Sequence, residues 1–281
     1  LESLSLRNNS IGQHSKYVFD DIVPTMQQLI KLDMHKCDLG MADMQRVFAI
    51  LHGCTRLEDL CLNTNRIMNE ASKAMFSSLS RCTTLKRLWL SGCNIGFGQK
   101  GSVATSHLGS VVNALTGLQD LDISCNHVEN HKAAAFFSQI TQKHVHLTSL
   151  NMRQNRIRIE GASHLKNFFS LTPNLKFLDL GFNMLQTEAV DYLVQGLQKL
   201  GKLESLNLYQ NPLKCDGIEI LGMGLPMLTC LHALNLGSTQ MHDQGAQSLV
   251  NNLLNMPSLT SLELSANAIV QAGGMALAAL I

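Results

Sequence analysis

One eleven-residue pattern, Leu-x-x-Leu-x-Leu-x-x-Asn-x-Leu, recurs ten times along this 281-residue chain. The copies begin at Leu1, Leu29, Leu57, Leu85, Leu118, Leu147, Leu175, Leu203, Leu231 and Leu259. Successive starts lie 28 residues apart, except for steps of 33 after Leu85 and 29 after Leu118. The first and fourth positions are leucine in every copy, and the sixth is always Leu, Met or Ile. The ninth is Asn at 9, 65, 126, 155, 183, 211 and 267, Cys at 37 and 93, and Thr at 239. A fixed period of this length means stacked structural units, because one such unit cannot bury its apolar side alone. Positions four and six flank one residue of opposite facing, so they form the inward face of a short strand, and stacking pairs those strands in parallel. The Asn stands where the chain leaves the strand, where its amide can satisfy buried turn backbone; Cys replaces it as a small, weakly donating group.

The rest of each unit reads as helix. In the ninth copy Ala246, Leu249, Val250, Leu253 and Leu254 follow helical spacing, with Asp243 as the predicted N-cap. Val47, Ile50 and Leu51, and Val190, Leu193, Val194 and Leu197, repeat that spacing. The expected fold is therefore α/β: a curved solenoid of about ten repeats, with parallel strands on the concave face and helices on the convex face. It forms a single domain over residues 1–281. Leu1 opens directly on a pattern position and Ile281 stops inside the tenth helix. Solenoids need polar caps on their end repeats, so the chain is expected to continue on both sides.

A 28-residue period, Asn or Cys at position nine and a full helix together resemble the ribonuclease-inhibitor-like class of leucine-rich repeats over essentially the whole chain. That resemblance implies an intracellular protein that binds other proteins. Ribonuclease inhibitor, the activator of the Ran GTPase, the sensing ends of NOD-like receptors and certain actin regulators share the class. The repeat is specific for fold and nearly silent on partner.

Composition excludes several functions. Net charge is +1, which offers no electrostatic case for nucleic acid or an anionic membrane surface. Apolar runs are too short to span a bilayer. Eight cysteines without a CxxC pair, beside 13 methionines, point to a reducing compartment, cytoplasmic or nuclear. Charged residues make up only 15%, which fits a component of a larger assembly. The five extra residues after Leu85 carry Gly96-Phe97-Gly98-Gln99-Lys100-Gly101, a literal G-x-G-x-x-G. It does not follow its strand immediately, and a solenoid lacks the switch-point crevice of a dinucleotide fold. Residues 96–106 thus read as a loop insertion. His127 and His131 open a helix that His144 and His146 close, too far apart to share a metal. No grouping suggests a nucleophile, so neither cofactor nor enzymatic activity is expected.

The outward strand positions three, five and seven carry the candidate partner surface. Position five is mostly Asp or Asn and reads as generic: Asp33, Asp122, Asn151, Asp179, Asn207 and Asn235. Lys31, Asp59, Arg87 and Asp120 at position three read as a cross-strand charge ladder. Trp89, the only tryptophan, stands at position five beside Cys61 and Asp122. It either anchors a partner or lies flat over Cys61. Phe177, Phe182 and Tyr209 are expected to form a second patch, although Phe182 could instead turn under its strand end. Gly181 and Gly237 leave Tyr209 without a neighbour of its own height. The predicted partner-binding residues are Arg87, Trp89, Asp122, Arg153, Phe177, Phe182 and Tyr209. The leading expectation is a protein-recognition scaffold; the sensing repeats of a NOD-like receptor and a GTPase activator similar to the Ran activator are the alternatives.

Overall fold

The computed structural model describes residues 1–14, 27–51, 53–67 and 72–280. The chain forms two compact units, Leu1–Leu147 and Thr148–Ile281. The helix expected in the first repeat would fall largely on residues 15–26, and that stretch and Ile281 lie outside the described residues.

In the first unit, strands β1 (Ser3–Ser5), β2 (Lys31–Asp33), β3 (Asp59–Cys61), β4 (Arg87–Trp89) and β5 (Asp120–Asp122) pair in parallel in chain order. The register aligns Leu4, Leu32, Leu60, Leu88 and Leu121, the leucines of position four. Helices α1 (Met41–Leu51), α2 (Ser72–Leu79), α3 (Gly101–Ala114) and α4 (Asn130–Phe137) follow strands two to five, each packing on the next. Val47, Phe48, Phe76, Leu108, Val112 and Phe136 meet the strand leucines in a closed core.

The second unit repeats this plan. Strands β6 (Ser149–Asn151), β7 (Phe177–Asp179), β8 (Ser205–Asn207), β9 (Ala233–Asn235) and β10 (Ser261–Glu263) pair in parallel and in order. They alternate with α5 (Ile159–Phe169), α6 (Thr187–Leu197), α7 (Lys214–Gly224), α8 (His242–Leu253) and α9 (Gln271–Leu277). Strand, turn, helix and return loop thus follow the expected order, at the expected leucine register.

Two helix expectations are corrected. Leu254 is 59% exposed because α8 ends one residue before it and the side chain misses the core stripe that buries Ala246, Leu249, Val250 and Leu253. Asp243 does not cap α8: it lies inside the first turn, and its Oδ1 accepts the Val270 N–H of the next repeat at 2.7 Å.

Position nine works as a ladder. Asn183 Oδ1 accepts the N–H groups of Asn155 and Ile157, both at 3.0 Å, and its Nδ2 donates to Leu180 O at 2.8 Å and Met152 O at 3.1 Å. Each amide therefore stitches its own strand exit to that of the preceding repeat. Where Cys stands instead, Sγ of Cys37 donates to Leu6 O at 3.0 Å and Sγ of Cys93 to Leu62 O at 3.2 Å. Both thiols are fully buried, as the pattern predicts, and burial pushes the Cys93 thiol up to about 12. Position eight has a positive φ in all ten copies, from 50° at Lys36 to 66° at Gly92. This left-handed turn is uncommon for residues other than glycine. At several copies the N–H there is claimed by the next repeat: Lys36 N–H donates to Asn63 O at 2.8 Å, and Phe182 N–H to Tyr209 O at 2.7 Å.

Candidate functional site

Position five has a definite task at the turn. Its side-chain oxygen accepts the N–H two residues on, in an Asx-type turn. Asp122 takes Ser124 N–H at 2.8 Å, Asp179 takes Gly181 N–H at 2.8 Å, and Asn207 takes Tyr209 N–H at 2.9 Å. Asp33, Asn151 and Asn235 do the same. The generic reading of these residues holds, and it gives Asp122 a turn-capping role.

Trp89 breaks that pattern, since an indole cannot accept. The amide it would have capped, Ser91 N–H, instead donates to Asn63 Oδ1 of the preceding repeat at 2.7 Å. That substitution releases position five for a large side chain. The indole is half-buried and donates its Nε1–H to Asp120 Oδ2 at 3.0 Å, so it is aimed at the next strand, β5. Its register neighbour Cys61 is buried, and burial pushes that thiol up to about 11. Around Trp89 the expected charge ladder forms. Arg87 grips Asp59 with Nε on Oδ1 and Nη2 on Oδ2, both at 2.7 Å, while Lys31 Nζ approaches Oδ2 at 3.7 Å. Asp59 is only 6% exposed. Asp120, the fourth rung, serves Trp89.

The second unit brings together three of the predicted residues. The Arg153 guanidinium carbon lies 4.1 Å from the centre of the Phe182 ring, and Phe182 and Tyr209 stand 5.2 Å apart between ring centres. Arg153 also approaches Asp179 at 3.8 Å. Phe182 does not turn under the strand end, for its left-handed backbone, φ 54°, accompanies a half-buried ring in this stack. Along the position-seven row Tyr209 has only glycines beside it, and its ring meets Phe182 of position eight instead. A Cβ added to Gly237 would lie 2.8 Å from Tyr209 Cδ2, and one added to Gly181 would lie 2.9 Å from Arg153 Nη1. The glycines are the spaces into which those side chains lie. Phe177 is 48% exposed, on the same face of β7 as Asp179. Asp120, Gly181 and Gly237, not counted among the expected partner-binding residues, set how Trp89, Arg153 and Tyr209 lie. The alternation of large residues with glycine at position seven was the available signal.

Of residues 96–106, expected as a loop insertion, only 96–100 form a loop, and a pinched one; from Gly101 on the chain is already α3. A Cβ on Gly101 would sit 2.1 Å from Gly96 O, and one on Gly96 would sit 2.3 Å from His127 O. The two glycines close the loop base and seat it on the next turn, with Gly98 at φ 79° and Phe97 exposed near its tip. Phe97 meets the His127 ring edge-on at 5.6 Å. His144 is fully buried, neither ring nitrogen has a hydrogen-bond partner among the described residues, and burial pushes its imidazole below the usual range. Among the described residues no His, Cys, Asp or Glu cluster could hold a metal, and no helix is long and apolar enough to cross a membrane.

Parallel strands carrying leucine in register, a position-nine ladder and a helix after each of strands two to ten define a repeat solenoid class, and comparison with known proteins agrees. The family described as Leucine Rich repeat matches residues 81–96, 143–165, 228–250 and 255–278. The chain thus carries leucine-rich repeats. Among curated proteins it is similar to human NACHT, LRR and PYD domains-containing protein 13, at 26% identity over 185 residues, and to protein 5 of that series, at 28% over 183 residues. Those alignments cover 65% and 64% of this chain but only 17% and 15% of the relatives, so the chain spans a small part of their length. Among solved structures, internalin C2 of Listeria monocytogenes superposes with TM-score 0.55 at 19% identity, covering 88% of this chain and 92% of that one. LegL7 of Legionella pneumophila does so with TM-score 0.57 at 18% identity, covering 93% and 82%. These two likenesses concern the fold alone.

Proposed function

We propose that the chain is a protein-recognition module of the ribonuclease-inhibitor-like class that takes its partner on the outward strand face. Trp89 and the Arg153–Phe182–Tyr209 stack are the contact points, with Phe177 beside the latter. Arg87 and Asp122 frame Trp89 through Asp59 and the β5 turn. The observation that carries this reading is the stack itself: Phe182 and Tyr209 are half-buried with ring centres 5.2 Å apart on the outward strand face, beside the exposed Phe177 and outside the leucine core. Binding energy concentrates in aromatic and arginine side chains held in place before the partner arrives. The eight free thiols support an intracellular setting.

The test is capture of partners from cell extract by the wild type, Trp89→Ala, Tyr209→Ala and, on the helix side, Met223→Ala, whose side chain is 66% exposed on α7. The strand-face variants should lose partners that the helix variant keeps, with all melting temperatures unchanged. The reverse pattern moves the binding surface to the helices. A second reading is favoured by the alignments to the two human proteins: the repeats belong to a larger chain that also carries NACHT and PYD domains. Sequencing the transcript on either side of this segment decides it.

A further inference from the structure

On the strand face of the second unit, position seven reads Arg153, Gly181, Tyr209, Gly237 along successive strands. Each large side chain lies over the glycine of the following strand, because that is the space a Cβ would have taken. Arg153 thereby covers one ring whose neighbour is Tyr209, at 4.1 Å and 5.2 Å. The result is a cation–aromatic platform of two rings inclined by 42°, set by backbone spacing. A surface already ordered loses little entropy when a ligand docks on it.

The platform borders a basic turn. Arg156 and Arg158, on the exit from β6, are both exposed, and among the described residues neither pairs with a carboxylate; Arg158 Nη2 rests 3.4 Å from the Met184 sulfur. Arg153 itself is held by a long ion pair, 3.8 Å, to an Asp179 that already accepts from Gly181 N–H and from Asn207 Nδ2. Three guanidinium groups within six residues thus keep donors for an incoming anion, and the adjoining rings offer an apolar bed. The geometry points to an acidic protein segment as the occupant, one that places an aromatic or long aliphatic side chain on Phe182 and Tyr209 and its carboxylates on Arg153, Arg156 and Arg158. Charge complementarity selects the acid, and stacking selects the apolar side chain. This inference rests on the strand-face reading above and names the chemistry of the partner.

A library of random twelve-residue peptides displayed on phage, selected against the whole chain at low salt, tests it. Enriched peptides should combine Asp or Glu with an aromatic or leucine. Their synthetic versions should bind at least about tenfold more weakly to Tyr209→Ala. They should also weaken, with a shallower salt dependence, against the double variant Arg156→Ala/Arg158→Ala, which removes exposed side chains and spares the fold. Peptides that depend on Tyr209 but are basic or uncharged would overturn the acidic assignment and leave the strand-face reading standing. Peptides indifferent to both variants, or no enrichment, would overturn both. A fluorescent twenty-residue polyuridine binding more tightly than any selected peptide would also overturn the proposal, in favour of nucleic acid.

Discussion

Replacing Asn183 by Ala should cost about 4 kcal/mol, and replacing it by Cys clearly less. The Asn183 amide has four strong partners, but they are not equally dependent on it. Met152 O also receives Asn155 Nδ2 at 3.1 Å, and Leu180 O also receives Asn211 Nδ2 at 2.9 Å. Truncation therefore strands two buried donors, the N–H groups of Asn155 and Ile157, which have Asn183 Oδ1 as their acceptor. Each buried donor left unpaired costs about 1–3 kcal/mol. Cysteine should recover part of this, because the chain shows how. At Cys37 the sulfur takes the Asn9 N–H, and Ile11 N–H, the equivalent of Ile157, moves to the Cys37 backbone oxygen at 3.1 Å; Ile67 N–H likewise uses Cys93 O at 3.0 Å. Asn183→Cys should thus cost roughly 2 kcal/mol, about half as much. Urea unfolding followed by circular dichroism, compared at equal slope, measures both. Two variants agreeing within about 0.5 kcal/mol, or an Ala cost below about 1 kcal/mol, would refute the shared-carbonyl reasoning.

His144 occupies a slot filled by Cys54, Cys82, Leu115, Thr172, Leu200, Leu228 and Met256 in other repeats. Its folded pKa lies below the unfolded value, so the unfolded chain binds the proton first. Stability should fall as pH drops below about 6.5, by up to about 1.4 kcal/mol per pH unit until the folded pKa is reached. His144→Leu should flatten that part of the pH–stability curve, and an unchanged gap between pH 7.5 and 5 would count against it. A bulky disulfide reagent should label the half-buried Cys125, Cys215 and Cys230 of the native protein well before the fully buried Cys37 and Cys93; mass mapping of early adducts on either ladder thiol would contradict the register. Gly101→Ala should cost about 1–3 kcal/mol, since the new Cβ meets Gly96 O. Gly201→Ala, with nothing within 4 Å, should be neutral in the same thermal melts.

Much of the fold was legible because it depends on side-chain type at fixed intervals. Leucines at positions four and six predict which residues pair across strands, and every register pair at position four is leucine on leucine. Helical spacing located the cores of α1, α6 and α8 but misplaced Leu254 and Asp243, which sit at a helix end and in a first turn. There the deciding factor is where the hydrogen-bond ladder stops and what the adjacent repeat offers. The left-handed residue at position eight left no trace at all. Ten copies place there residues as different as Gly92, Phe182 and Ala266, so side-chain type does not mark the conformation.

The sequence by itself determined the repeat, its length, the strand register, the inward leucines and the polar ladder at position nine, since each is a local pattern recurring every 28 residues. Only the tertiary structure decided how the outward side chains lie. Trp89 turns to Asp120, Arg153 settles over Gly181, Phe182 stacks on Tyr209, and Gly96 and Gly101 pinch a loop that looks like a nucleotide motif. The residue that settles each orientation comes from an adjacent turn of the solenoid or, in the loop, from backbone brought back on itself. Such contacts exist only once the turns have stacked.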